Sequence, residues 1–201
     1  MPPKAKFTKE QITKAALGVV SEKGAHALTA KELGAALGTS TTPIFTLFNS
    51  MQEVQDAVML AAMERFEEYA HKAAHIKPVF KQVGMQMILF AKEEPKLYQL
   101  IFMSSINEAQ TFDDIYAHLG SVADECLDVL QNDYDLSKDN AKTLFEHVWI
   151  HTFGIGTLCA TGVCNFSHEQ IAEMLTQDFT AMMLLMKSDK LNQPTMQKVE
   201  A

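Results

Sequence analysis

Glycine and proline are scarce in this sequence, nine and six among 201 residues. So few turn-forming positions argue against a strand-and-turn architecture and in favour of long helices. Cysteine is rarer still. Cys126, Cys159 and Cys164 form an odd set with no CxxC pair, which does not suit a disulfide framework and leaves buried thiols as the expectation. No stretch reaches eighteen uninterrupted apolar residues, so no membrane span is expected. The opening MPPKAKFTKEQ lacks the apolar region of a secretory signal, and a cytoplasmic protein is the corresponding expectation. Enzyme signatures are missing as well, with no GxSxG, P-loop, GxGxxG or HExxH pattern. Neither catalysis nor a cofactor is expected.

What is present points to a helical globule. Hydrophobic residues make up 47% and charged residues 21%, a balance typical of globular chains. The net charge of −8 is unevenly spread. Residues 1–50 hold six lysines and three glutamates (+3), whereas the remainder holds eleven basic and 22 acidic residues (−11). A basic contact module on an acidic body accounts for such a division.

The first fifty residues carry three capping-box patterns, Thr8 with Gln11, Thr29 with Glu32 and Ser50 with Glu53. Gly24 and Gly38 stand where helices should stop. The spacing predicts helices over 9–23, 30–37, 41–48 and 51–74. Apolar stripes agree: Ile12, Ala15, Ala16, Val19 and Val20 on the first, Ala30, Leu33 and Leu37 on the second, Ile44 and Phe48 on the third. Two short helices joined through Gly38-Thr39-Ser40 make a helix-turn-helix candidate, with the uncharged stretch TSTTPIFTLF (residues 39–48) as the helix that would enter the major groove.

Further helices are expected over 79–93, 96–104, 112–131, 138–163 and 168–187, about nine in all. The segment 138–163, with LFEHVWIHTFGIGTLCATG, is apolar almost all round and should be buried on every side. Ile171, Met174, Leu175, Phe179, Met182 and Met186 repeat at three-and-four spacing. That stripe is expected to pack, with the 138–163 helix, against a second copy in a four-helix bundle. His71/His75 and His147/His151 share helix faces at i, i+4, but no third ligand is evident, so no metal site is assigned.

The block FTKEQITKAALGVVSEKGAHALTAKELGAALGTSTTPIFTLFNSMQEVQDAV resembles the DNA-binding domain of the TetR family of bacterial transcriptional regulators. The matching features are Thr29 as a cap, then Gly38, Ser40, three variable positions, Ile44 and Phe48. A looser similarity covers FAKEEPKLYQLIF and WIHTFGIGTLCATGVCNFSHEQIAEML. The resemblance implies an all-α homodimer. Its N-terminal three-helix helix-turn-helix domain, residues 1–50, would bind operator DNA. A helical ligand-binding and dimerisation domain over 51–189 and a polar tail over 190–201 would follow. DNA contacts are implied for Thr29, Lys31, Ser40, Thr41, Thr42, Pro43, Phe45, Thr46 and Asn49. An effector cavity is implied among Met63, Phe66, Phe90, Phe102, Tyr116, His147, Trp149, His151 and Phe153, and a ligand-responsive repressor is the leading reading, with activation left open.

Eleven of the twelve methionines lie at or beyond residue 51, and with the −11 body they favour an apolar, neutral or cationic effector over an anion. Three positions depart from the family pattern. Phe45 replaces the usual tyrosine, Leu47 the usual histidine or tyrosine, and Met51 the usual lysine. Each removes a polar phosphate contact, the kind that supplies sequence-independent affinity. A helical small-molecule-binding or interaction protein with weak or lost DNA binding is therefore the alternative.

Overall fold

The computed structural model describes residues 7–73, 75–104 and 111–188. Among these residues the chain is all-α, with ten helices, a single 3-10 turn at Ala25–Ala27 and no strand. The helices are α1 Lys9–Lys23, α2 Ala30–Ala36, α3 Thr42–Leu47, α4 Met51–His71, α5 Val79–Glu93, α6 Pro95–Met103, α7 Phe112–Leu119, α8 Ser121–Tyr134, α9 Lys138–Ala160 and α10 His168–Lys187.

The three expected caps all form, but only the first is fully reciprocal. Gln11 N–H donates to Thr8 Oγ1 at 3.2 Å while Thr8 N–H donates to Gln11 Oε1 at 2.9 Å. At α2 and α4 the hydroxyl half is present: Glu32 and Glu53 donate their N–H groups to Thr29 and Ser50, each at 3.2 Å. The carboxylate halves go elsewhere, because a lysine is within reach. Glu32 pairs with Lys23, and Glu53 pairs with Lys9 at 2.6 Å.

Two expectations about helix extent need correction. The single helix expected over 112–131 is broken into α7 and α8 at Gly120, whose φ of +52° lies in the left-handed region that glycine adopts without a Cβ clash. The long helix expected to 163 stops at Ala160, and Gly162 follows with φ +73°. That helix, α9, is also not buried on every side. Its stripe His147, Ile150, Gly154 and Leu158 is exposed, Ile150 by 57%.

α5 is the central helix, flanked by α4, α6, α8, α9 and α10. One apolar cluster runs from Ile12 and Val20 on α1 through Val54, Val58 and Phe66 on α4 to Leu97, Ile101, Leu144 and Val148. The N-terminal helices and the body thus share continuous core, and burial rather than propensity alone holds α1 against α4 and α6. A smaller cluster of Met85, Ile88, Ile155, Ile171 and Leu175 ties α10 to α5 and α9.

This smaller cluster takes in part of the expected interface stripe. Ile171 and Leu175 are 4% and 3% exposed within a single copy, and Met174 packs beside them. Phe179 meets Phe80 and Tyr134 at ring distances of 5.9 and 5.0 Å, and Met182 and Met186 lie on the main core. Ile171 and Leu175 therefore cover α5 within one copy, while Met174, Phe179, Met182 and Met186 stay half-buried. The large apolar side chains that these two helices leave exposed are Ile150 and Leu158 on α9, with Leu184 and Leu185 on α10.

Of the three cysteines, none forms a disulfide. Cys126 is buried, and burial pushes its thiol up to about 12. Cys159 and Cys164 are only half-buried.

Candidate DNA-reading helix and ligand cavity

α3 is short because Pro43 opens it and Phe48 leaves it in an extended conformation. Its inner side is fixed by Ile44 (0% exposed) and by Phe48, whose N–H still donates to the Ile44 carbonyl at 2.9 Å. At helical spacing this leaves Thr42, Phe45 and Thr46 exposed together on the opposite face. Ser40 and Asn49 are exposed at the two ends, while Thr41 and Pro43 are half-buried. Thr46 Oγ1 donates to the Thr42 carbonyl at 3.0 Å, which leaves its lone pairs and methyl outward.

The approach of α3 to α2 depends on Gly34. A Cβ at this position would lie 3.0 Å from the Thr39 carbonyl oxygen and 3.5 Å from the Ser40 carbonyl carbon. The same segment is tied by Thr39 N–H donating to the Gly34 carbonyl at 2.9 Å. In the sequence Gly34 is inconspicuous, since a glycine inside a helix pattern carries no mark of what crosses it.

Behind α3, Glu53 gathers the junction. Its carboxylate accepts from Asn49 N–H at 2.7 Å, from Asn49 Nδ2 at 2.9 Å and from Lys9 Nζ at 2.6 Å. The Asn49 backbone bond and the Lys9 ammonium hold its carboxyl down at about 2. Asn49, expected to contact DNA, therefore spends its amide N–H inward on Glu53. Among the lysines of the first fifty residues, Lys9 and Lys23 are ion-paired, whereas Lys31, the one expected to contact DNA, is exposed and makes no ion pair among the described residues. Thr29, also exposed, caps α2.

In the body, a cavity of about 550 Å³ opens between α6, α7 and α9. Ile101 and Phe102 come from α6, Phe112, Asp114, Ile115, His118 and Leu119 from α7, and Trp149, Ile150 and Phe153 from α9. Its aromatic wall is ordered by edge-on contacts: Phe102 meets Trp149 at 5.9 Å and His118 at 6.3 Å. Of the expected ligand residues, Phe102, Trp149 and Phe153 line this cavity. Met63, Phe66 and Phe90 do not. Phe66 and Phe90 are fully buried packing, and Phe66 supports Phe102 from behind at 5.2 Å.

The expected polar residues lie elsewhere. Tyr116 donates to Glu146 at 3.2 Å, His147 faces outward, and His151 lies 3.9 Å from Asp178. The polar groups at the cavity are Asp114 and His118 instead. Burial pushes the His118 imidazole below its ordinary value, and a hydrogen bond to the Ile101 backbone only partly offsets that. Its Nε2 is buried with no partner among the described residues, so Nδ1 is the nitrogen that donates to the Ile101 carbonyl. His118 was missed because nothing in YAHLG marks it. The signal is that it lies three residues past Ile115 and one turn past Asp114, on the same side of a short amphipathic helix.

α6 also touches the N-terminal helices. At its start Glu94 accepts from Ser21 Oγ of α1 at 2.9 Å and lies 3.6 Å from Arg65 of α4. One helix of nine residues thus carries both a cavity wall and a bond to α1.

Comparison with known proteins agrees with this architecture. Residues 12–58 match the family model of bacterial regulatory proteins of the tetR family. No curated protein sequence matches the chain. Among solved structures, one from Mesorhizobium loti, assigned to the TetR family of transcriptional regulators, superposes with a TM-score of 0.62 at 16% identity, covering 88% of this chain and 95% of that one. A TetR-like transcriptional regulator from Rhodococcus sp. RHA1 gives 0.57 at 17% identity, covering 92% and 99%. FadR of Thermus thermophilus, a TetR-family repressor in complex with lauroyl-CoA, gives 0.56 at 13% identity, covering 88% and 93%.

Proposed function

We propose that this chain, a TetR-family regulator by its N-terminal module and its fold, is a ligand-responsive repressor that binds operator DNA as a homodimer. In this reading residues 1–50 read DNA and 51–189 hold the ligand and the partner, while the polar tail 190–201 lies outside the described residues. The observation that carries it is the exposed, uncharged face Thr42, Phe45 and Thr46 on a helix held rigidly from behind by Ile44 and Phe48. Threonine hydroxyls hydrogen-bond to either base type and threonine methyls pack on thymine methyls. Lys31 and the N-terminus of α2 supply phosphate contacts.

The homodimer draws support from the outward side chains Ile150, Leu158, Leu184 and Leu185. Gly154, in the middle of the α9 stripe, has open space where a Cβ would be, which lets a second helix approach closely. Ile150 also lines the cavity, so a two-fold mate seated here would cover its mouth. Ligand in the cavity would press on Phe102 and move α6, and α6 would pull α1 through Ser21 and Glu94. An apolar, neutral or cationic effector suits a wall of this composition, and coupling of about 1.4 kcal/mol suffices for a tenfold loss of operator affinity.

Lys9 and Lys23 are neutralised by Glu53 and Glu32, and Phe45, Leu47 and Met51 offer no charge. These observations favour a second reading, a ligand-binding protein with weak or lost DNA binding. Selection of duplexes from a random pool, followed by anisotropy titration over several salt concentrations, separates the two. The regulator reading expects an enriched two-fold site with a shallow salt slope, a Thr42→Ala variant with altered preference and a Lys31→Ala variant weaker on every sequence. Failure to enrich any site would leave the second reading.

A further inference from the structure

We propose that the cavity between α6, α7 and α9 takes a neutral aromatic molecule bearing a single hydrogen-bond donor, in the simplest case a phenol, which donates to Nε2 of His118. The inference rests on the ligand-sensor reading above and names the chemistry of its ligand. Four aromatic side chains, Phe102, Phe112, Trp149 and Phe153, line one space of about 550 Å³, a size that holds a two- or three-ring molecule. Their faces and edges favour a flat aromatic occupant, since offset and edge-on ring contacts add to plain burial.

His118 decides the polarity. Its Nδ1–H is committed to the Ile101 carbonyl, so in the neutral imidazole Nε2 carries a lone pair and no proton. Among the described residues no donor reaches that lone pair, and a buried acceptor left unpaired is unfavourable. An occupant with an O–H group pairs it, whereas an ether or a ketone of the same shape meets lone pair with lone pair. Nε2 is buried, so a small turn of the imidazole accompanies binding. The soft terminal torsion of histidine permits this. Charge sets the remaining limit. Asp114 lines the same cavity, and its carboxylate disfavours an anionic ligand.

The test uses three probes of one ring system on the full chain: 2-naphthol, 2-methoxynaphthalene and 2-naphthoate. Binding is read from the emission of the single tryptophan, Trp149, and by calorimetry, and release of an enriched duplex is read by anisotropy in the same samples. We expect 2-naphthol to bind at least tenfold more tightly than the ether, and the carboxylate to bind weakest. His118→Phe, which keeps a ring of similar size, should bring the alcohol and the ether within threefold of each other. Equal affinity of alcohol and ether for the unmodified chain overturns the proposal, and so does the absence of binding by all three. If the ether binds equally well and still releases DNA, the donor chemistry is wrong while the sensor reading stands. If the alcohol binds as expected and DNA is unaffected, the site stands and the sensor reading fails. Should His118→Phe fold poorly, the contrast of alcohol with ether on the unmodified chain decides alone.

Discussion

Replacing Gly156 by alanine tests how tightly α6 is seated against α9. A Cβ there would lie 2.7 Å from the Tyr98 hydroxyl oxygen, 3.0 Å from Cζ and 3.1 Å from Cε2. Tyr98 has little room to retreat. It is 0% exposed, its ring lies 4.9 Å from Phe102 and 6.3 Å from Phe153, and its hydroxyl donates to the Phe153 carbonyl at 3.1 Å. Overpacking of this kind costs about 1–3 kcal/mol, and the fixed ring places it near the upper end. Alanine recovers about 1 kcal/mol of helix propensity over glycine, so a net loss of about 2 kcal/mol is expected. For a chain of this size that is a fall in Tm of about 4–8 °C, measured at fixed protein concentration because assembly shifts Tm as well. The cycle with Tyr98→Phe is the discriminating step. Removing the hydroxyl takes away the 2.7 Å contact, so Gly156→Ala should cost at least 1 kcal/mol less in the Tyr98→Phe background. Urea unfolding with unchanged slope measures both differences. A Gly156→Ala chain within 0.5 kcal/mol of the parent would refute the argument, and additive effects in the cycle would show that Tyr98 is not the obstacle.

Glu53→Gln should weaken binding to every duplex by a similar factor, because it loosens Lys9 and Asn49 behind α3 without touching its outer face. Since the Glu53 carboxyl is held at about 2, below its unfolded value, its contribution is present above the unfolded pKa near 4.5 and is lost as pH falls towards 2. Acid unfolding of Glu53→Gln should lack that part of the pH dependence, and an unchanged profile would remove Glu53 from the account. Ser21→Ala deletes the bond to Glu94 at a cost of about 0.5–1.5 kcal/mol, and should shrink the effect of ligand on DNA affinity while leaving ligand affinity within twofold. Full retention of the ligand effect would exclude this path. Leu158→Glu places a charge on the outward stripe of α9 and should give a folded monomer by light scattering, whereas Ile171→Glu, at a position 4% exposed within one copy, should unfold the chain.

Local chemistry made most of the helices legible in the sequence. Thr8, Thr29 and Ser50 all cap helices whose starts they mark, and α5 occupies the expected 79–93. The break at Gly120 was hidden because its flanks, Leu119 and Ser121, continue an apolar-polar pattern that one helix would also show. Periodicity gives a stripe but not its partner, so the spacing of Ile171 and Leu175 suits a second copy as well as it suits α5 and α9, which cover them. The outer face of α3 followed from Ile44 and Phe48 as its inner anchors. The cavity was legible only in part. Aromatic residues flagged Phe102, Trp149 and Phe153, but which of many apolar side chains border a void depends on how α7 leans on α9, and that is a matter of three-dimensional packing. His118 belongs to the same class, since its role rests on a carbonyl from α6 that no sequence spacing connects to it.

The central claim is that occupancy of the cavity governs the grip of α3 on DNA. Its most direct test titrates 2-naphthol into the complex of the full chain with an enriched duplex, following Trp149 emission and duplex anisotropy together. The account predicts that operator affinity falls about tenfold, with its midpoint at the concentration that half-changes the Trp149 signal. Full occupancy of the cavity with unchanged operator affinity would contradict it.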